Sequence, residues 1–254
     1  YPLRVPTVDI VEIGAGGGSI AWFDQAGLLK VGPLSAGADP GPACYGRGGE
    51  EPTVTDAKLI TGVINPTNFA GGQFNLDMTK ARTAMEKVAH GLDSSVEEAA
   101  VAVIRTVEAN MINALKLVSI QRGHDPREFA LVVGGGGGPM HGAPLGRDLG
   151  VKDVIVPLYP GLFSAWGMLA TEPRRDFMQT VLQRAEEVKE QDVRALFDRL
   201  KQEAEEYFRT DAHLSGAEIV HEGRIDLRYL GQEHSVTVAV TTESATVEGM
   251  VADI

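Results

Sequence analysis

The chain has 254 residues, 43% of them hydrophobic, which is enough to bury one large core or two modest ones. A formal net charge of -12 with no local cluster of lysine and arginine argues against nucleic-acid binding, and no apolar run approaches the length of a membrane span. A single cysteine, Cys44, rules out an intrachain disulfide and fits a reducing, cytoplasmic setting.

The opening, "YPLRVPTVDIVEIG", lacks the basic region and apolar core of a signal peptide, and a strand pattern starts by Val8. "VDIVEIGAGGGSIAWFDQAGLLKVG" reads as two β segments around a glycine loop, with a turn at residues 25–27. Residues 33–53 are rich in glycine and proline without periodicity, and a loop of that length is expected to be ordered and functional. "TDAKLITGVI" predicts a short helix capped by Thr55 or Asp56. Helices follow near residues 79–91 and 95–122. In the second, Val96, Ala100, Val103, Val107, Met111, Ala114 and Val118 form one apolar stripe. Ser94 with Glu97 supplies its capping box, and Gly123 its stop. A buried strand, "FALVV", then leads through "GGGGG" into a helix from about Met140 to Leu149. "DVIVP" reads as a buried strand, "SAWGMLA" as a helix, and residues 190–209 as an amphipathic helix. Alternation over residues 218–240 predicts an antiparallel ribbon, and composition turns charged near residues 170–190, a modest domain boundary.

Strand, glycine loop, helix is the arrangement that brings bare backbone and a helix N-terminus to an anion or nucleotide. The same loop also serves close helix–strand packing, and from shape alone both uses stay open. The standard fingerprints fail. No lysine follows Gly138, as a phosphate loop requires. The sixth position of a dinucleotide fingerprint is Pro139 counted from Gly134, and Ser19 counted from Gly14. Asp39 and Asp56 are acidic residues suited to a Mg2+-bound water or a substrate contact. Asp56 also suits a helix cap, and Asp39 a turn. His124 and Asp125 read as chain-turn residues, Cys44 as an inert loop residue, and Arg47 as a possible partner of phosphate or carboxylate. No histidine or cysteine spacing suggests zinc.

The segments "VDIVEIGAGGGSIAW", "GPLSAGADPGPACYGRGG", "PTVTDAKL", "QRGHDPREFALVVGGGGGPMHG" and "VIVPLYPGLFSAWGMLA" stand in an order that resembles the hydantoinase A/oxoprolinase family over nearly the whole chain. The resemblance implies an α/β fold of the actin-like ATPase (RNase H-like) type, with ATP and Mg2+ between two lobes. Residues 1–170 would be part of the second lobe, and residues 171–254 a partial C-terminal α+β segment. It places Gly135, Gly136, Gly137 and Gly138 against adenosine, with His141 on the following helical turn, either near the ligand or packed under it as a helix-cap histidine, and Gly16, Gly17, Gly18 and Ser19 on the nucleotide side of the first glycine turn. Asp39 and Asp56 are the candidate catalytic residues. Gly137 and Met140 replace the alanine and leucine usual in the family's loop.

Family members are longer and carry phosphate loops of the Asp-x-Gly-Gly-Thr and Gly-Gly-Thr-Ser types, neither of which occurs here. The chain is therefore expected to be a piece, about a third of such a subunit, inactive by itself. The implied activity is ATP-dependent opening of a cyclic amide of the hydantoin or 5-oxoproline type, beside a B-type partner subunit. The alternatives are an ATP-dependent acetone or acetophenone carboxylase subunit, and a non-catalytic assembly lobe.

Overall fold

The computed structural model describes residues 10–211, 216 and 218–240. These fall into two compact units, one ending at Thr171 and the other beginning at Glu172. Among the described residues no helix is long and apolar enough to cross a membrane.

The first unit opens on an antiparallel hairpin, β1 (Ser19–Phe23) and β2 (Leu29–Ser35), with Ala21 opposite Val31 and Phe23 opposite Leu29. Asp24 makes the turn: its Oδ1 accepts from the N–H groups of Ala26 and Leu28. Residues 10–13 form no strand, contrary to the sequence pattern, and Ile10, Val11 and Ile13 are exposed. Alternation alone does not make a strand where no neighbour offers backbone partners. Val8 and Asp9, the start of that pattern, lie outside the described residues.

Three helices cover the hairpin: α1 (Val54–Ile60), α2 (Met78–Leu92) and α3 (Val96–Val118). Their apolar faces meet in one core of Ala21, Val31, Val54, Ala57, Met85, Val88, Ala99, Val103 and Val107. The alanines let the helix axes approach, and Gly91 does the same for the sheet, since a Cβ there would run into the Phe23 ring. Asp77 caps α2 by accepting from the N–H of Lys80.

The capping box of α3 is Ser95 with Glu98, one residue beyond the predicted pair. Both pairs satisfy the spacing. Ser94 is taken by the end of α2, where its N–H bonds the Ala89 carbonyl after Asp93 turns left-handed at φ 50°. The helix ends at Val118, the last residue of its apolar stripe and short of the end at residue 122 that Gly123 suggests. Gly123, at φ 81°, instead closes the short 3-10 turn Ile120–Arg122.

A β–α–β unit follows: β3 (Ala130–Val132), α4 (Pro139–Leu149) and β4 (Asp153–Ile155), with β3 and β4 parallel. Gly142 and Gly146 let α4 lie on this pair; a Cβ at Gly142 would press on Val133 and Val154, and one at Gly146 would enter Val154. β3 and β4 are less buried than their apolar sequences predict. Val132 and all of β4 are exposed, because the described residues give this sheet only two strands. Helix α5 (Phe163–Ala170) closes the unit.

The second unit holds helix α6 (Glu190–Thr210) and the antiparallel pair β5 (Gly223–Leu227) and β6 (Val236–Val240). Along β5 the half-buried Ile225 and Leu227 alternate with exposed Arg224 and Asp226, as the sequence pattern requires.

Candidate functional site

Residues 134–138 connect β3 to α4, and the five glycines have different neighbours. A Cβ at Gly138 would run into the Gly134 carbonyl, and one at Gly134 would press on the Phe163 ring at 3.1 Å. These two glycines let the turn close on itself. Gly135 takes φ 82° and donates its N–H to the Pro160 carbonyl at 2.7 Å. At Gly136 no protein atom lies within 4 Å of a Cβ position, and at Gly137 only the Met140 Cε does, at 3.9 Å. The turn thus presents the exposed, bare backbone of Gly135 and Gly136 at the head of α4. Pro139 occupies the first helical position, where its missing N–H costs least.

The first glycine turn is built differently. The Gly16 N–H donates to Ser19 Oγ, which in turn donates to the Gly14 carbonyl. Both the N–H and the hydroxyl of Thr55 donate to the Gly17 carbonyl, at 2.8 and 2.9 Å. A Cβ at Gly17 would meet Thr55 Oγ1 at 2.8 Å, and one at Gly18 would meet Ser35 Oγ at 2.7 Å. Packing within the protein therefore accounts for Gly17 and Gly18, and turn closure for the buried Ser19. Gly16 alone faces open space.

The two acidic residues have opposite surroundings. Asp39 is exposed in the loop closed by the Gly41 N–H on the Ala36 carbonyl. Asp56 is fully buried. Its Oδ2 accepts from the N–H and hydroxyl of Thr53 and from the Ala43 N–H, and its Oδ1 accepts from the Cys44 N–H at 2.8 Å. The helix cap is Thr53, not Thr55 or Asp56; Asp56 is its capping-box partner three residues on. Asp56 thereby ties residues 43 and 44 of the long loop to the start of α1. Burial, with the Asp56 charge beside it, pushes the Cys44 thiol well up, so it stays an inert thiol. Arg47 stacks over Phe74 at 4.6 Å. Asp125 caps the turn Pro126–Glu128, and the Arg127 guanidinium holds its carboxyl down at about 2. Among the described residues no group of histidine, cysteine, aspartate and glutamate is arranged to hold a metal.

One buried cluster was not anticipated from sequence. Lys58 of α1, Glu108 of α3 and His141 of α4 meet beneath the second glycine turn, and all three are buried. Lys58 Nζ donates to Glu108 Oε1 at 3.2 Å and to the Met140 carbonyl at 3.0 Å. His141 Nδ1 lies 3.0 Å from the same Glu108 oxygen, and an ionised carboxylate only accepts, so Nδ1 is the donor. Burial raises the Glu108 carboxyl, but the hydrogen bonds from His141 and Lys58 outweigh it and the net shift is downward. Two signals were present in the sequence: a lysine inside a short apolar helix, and a glutamate following Val107 in the apolar stripe. Helix α1 therefore reaches the first glycine turn through Thr55 and the first turn of α4, directly after the second glycine turn, through Lys58, one helical turn further on.

A bare backbone at a helix N-terminus accepts a flat ring or an anion without steric interference. The caprolactamase subunit alpha of Pseudomonas jessenii is 38% identical over 246 residues, which is 96% of this chain and 35% of that subunit. The crystal structure of ATP-dependent caprolactamase from Pseudomonas jessenii superposes with a TM-score of 0.79 at 37% identity, covering 94% of this chain and 35% of that one. The nucleotide-free structure of acetone carboxylase, from work on ATP-dependent acetone carboxylation, gives 0.68 at 28% identity with the same coverage. The chain spans 35% of the length of these relatives. Residues 1–177 match the hydantoinase/oxoprolinase family model, and the chain belongs to that family.

Proposed function

We propose that this chain is part of the A-type subunit of an ATP-dependent cyclic amidohydrolase, and that adenosine lies against the glycine turn of residues 135–138. The observation that carries this reading is the contrast within the turn: Gly134 and Gly138 are required by the protein's own packing, whereas Gly136 faces open space. Two structural relatives described as ATP-dependent support a nucleotide as the occupant. In this reading residues 1–170 belong to an actin-like ATPase lobe and residues 171–254 to a C-terminal α+β segment; parts of both ranges lie outside the described residues. The turn and the head of α4 bind and orient the nucleotide, with Mg2+ accompanying its phosphates. Phosphorylation of the amide oxygen would turn a poor electrophile into a good one for water. Of the two acidic residues, the exposed Asp39 is the one free to meet ligand. Asp56, with both oxygens engaged, holds the long loop in place. A B-type partner subunit completes the enzyme, and the 254-residue chain alone is expected to turn over ATP negligibly.

The caprolactamase structure superposes better and at higher identity than the carboxylase, which favours the amide reading. A ketone carboxylase subunit is the second reading, carried by the acetone carboxylase neighbour. Gly136→Val in the full-length subunit tests the nucleotide site. ATP affinity should fall by on the order of 2 kcal/mol, roughly thirtyfold, while the melting temperature holds, because the substitution meets no protein atom nearby. A folded variant that binds ATP as tightly as the parent would remove the nucleotide from this turn.

A further inference from the structure

Helix α4 contains a proline at position 144. A proline lacks the N–H that would bond the carbonyl four residues earlier. Here that carbonyl belongs to Met140, in the first turn of α4, directly after the glycine turn. The Met140 carbonyl is the one that Lys58 Nζ reaches, at 3.0 Å. The buried ammonium thus supplies the donor that Pro144 withholds. Glu108 holds that ammonium at 3.2 Å, and with the same oxygen holds His141, the next residue of the turn.

An ion pair this buried is a poor source of net stability, since desolvation offsets much of its attraction. What it supplies is direction. Two bonds, from Lys58 to the Met140 carbonyl and from His141 to Glu108, tie consecutive residues of α4 to α1 and α3, and the Lys58–Glu108 pair joins those two anchors, which fixes the start of α4 directly after the glycine turn. We propose that Lys58, Glu108 and His141 are positioning residues for the glycine turn, with Lys58 replacing the helical hydrogen bond removed by Pro144. The proposal rests on the reading that nucleotide binds at this turn.

The test is a cycle in the full-length subunit, with ATP affinity measured by calorimetry and folding by thermal melting. Lys58→Met should weaken ATP by about tenfold in the folded protein. Pro144→Ala alone should leave affinity unchanged, because the Met140 carbonyl already has its donor. Adding Pro144→Ala to Lys58→Met should recover most of the lost affinity, since alanine restores the missing N–H. A general stabilisation of α4 would act in both backgrounds; the proposed role requires recovery only where Lys58 is gone. Should Lys58→Met fail to fold with Glu108 left short of a partner, Lys58→Met/Glu108→Gln removes both charges and serves as the parent of the same cycle. Parental affinity in either folded lysine variant, or no recovery on adding Pro144→Ala, overturns the proposal. Gly136→Val separates the two readings. If it weakens ATP while the lysine variants do not, only the positioning role falls. If neither matters, the nucleotide reading falls and takes this proposal with it.

Discussion

Gly136 and Gly138 stand two positions apart in one turn, yet a methyl group added at each would meet different surroundings. At Gly138 it would run into the Gly134 carbonyl, which is backbone and yields only if the turn opens. At Gly136 it would meet no protein atom, and the backbone there is not left-handed. Gly138→Ala should therefore cost about 1–3 kcal/mol of stability, and Gly136→Ala within about 0.5 kcal/mol of none. Urea unfolding of the two variants measures this. Equal losses would mean that the turn closes differently from the geometry described here. The run "GGGGG" carries no mark of that difference. A sequence announces where side chains are absent, and only the neighbours show whether protein or ligand requires it. Gly17 and Gly18 make the same point in reverse, because Thr55 and Ser35 arrive from elsewhere in the chain to occupy their open sides.

Helix α1 is short, yet it links the hairpin, α3, the first glycine turn and the start of α4, so its stability should be felt at the site. Besides the apolar core it shares with α3, it is tied to α3 by the Lys58–Glu108 pair, and the Glu108 carboxyl, which also binds His141 of α4, is held below its ordinary value of 4.5. A group with a depressed folded-state value adds stability that is present above the unfolded value and lost as pH falls through the folded one. The contribution should therefore be constant from neutral pH down to about 4.5 and vanish below it. Urea midpoints at pH 6, 4.5 and 3.5 should fall more steeply for the parent than for Glu108→Gln, which has no proton to gain. Parallel curves would show that Glu108 ionisation is not coupled to folding. Much at this scale was legible in the sequence. The stripe on α3, the ends of α2 and the helix after the glycine turn follow from local periodicity and breakers. What was not legible depends on meetings across the chain. Ser94 and Ser95 both satisfy a capping box, and α2 decides between them by taking Ser94 for its own end. Lys58 and Glu108 are 50 residues apart, and no local pattern pairs them.

At the scale of the whole molecule, the stretch from β4 to α5 exposes apolar side chains that a folded surface ordinarily covers. Leu158 is 85% exposed, Leu169 88%, Met168 79% and Trp166 65%. The sequence marked β3 and β4 as buried strands, and the described residues leave them half covered. The described residues do not cover this apolar pattern, and the chain spans 35% of the length of its relatives. Such a patch favours self-association, while a net charge of -12 opposes it. Which effect wins depends on salt. Like-charge repulsion between copies is screened over about 10 Å at 0.1 M and about 3 Å at 1 M, whereas apolar contact is not weakened by screening. The purified chain should thus self-associate more at 1 M than at 0.1 M salt and bind an apolar fluorescent dye. Trp166→Glu with Leu169→Lys should reduce both signals severalfold without moving the melting temperature, because neither side chain is part of the core. Light scattering at the two salt concentrations decides the matter. Assemblies that dissolve as salt rises would show that charge pairing joins the copies, and a monomer without dye binding at both would show that the apolar stretch is covered in solution.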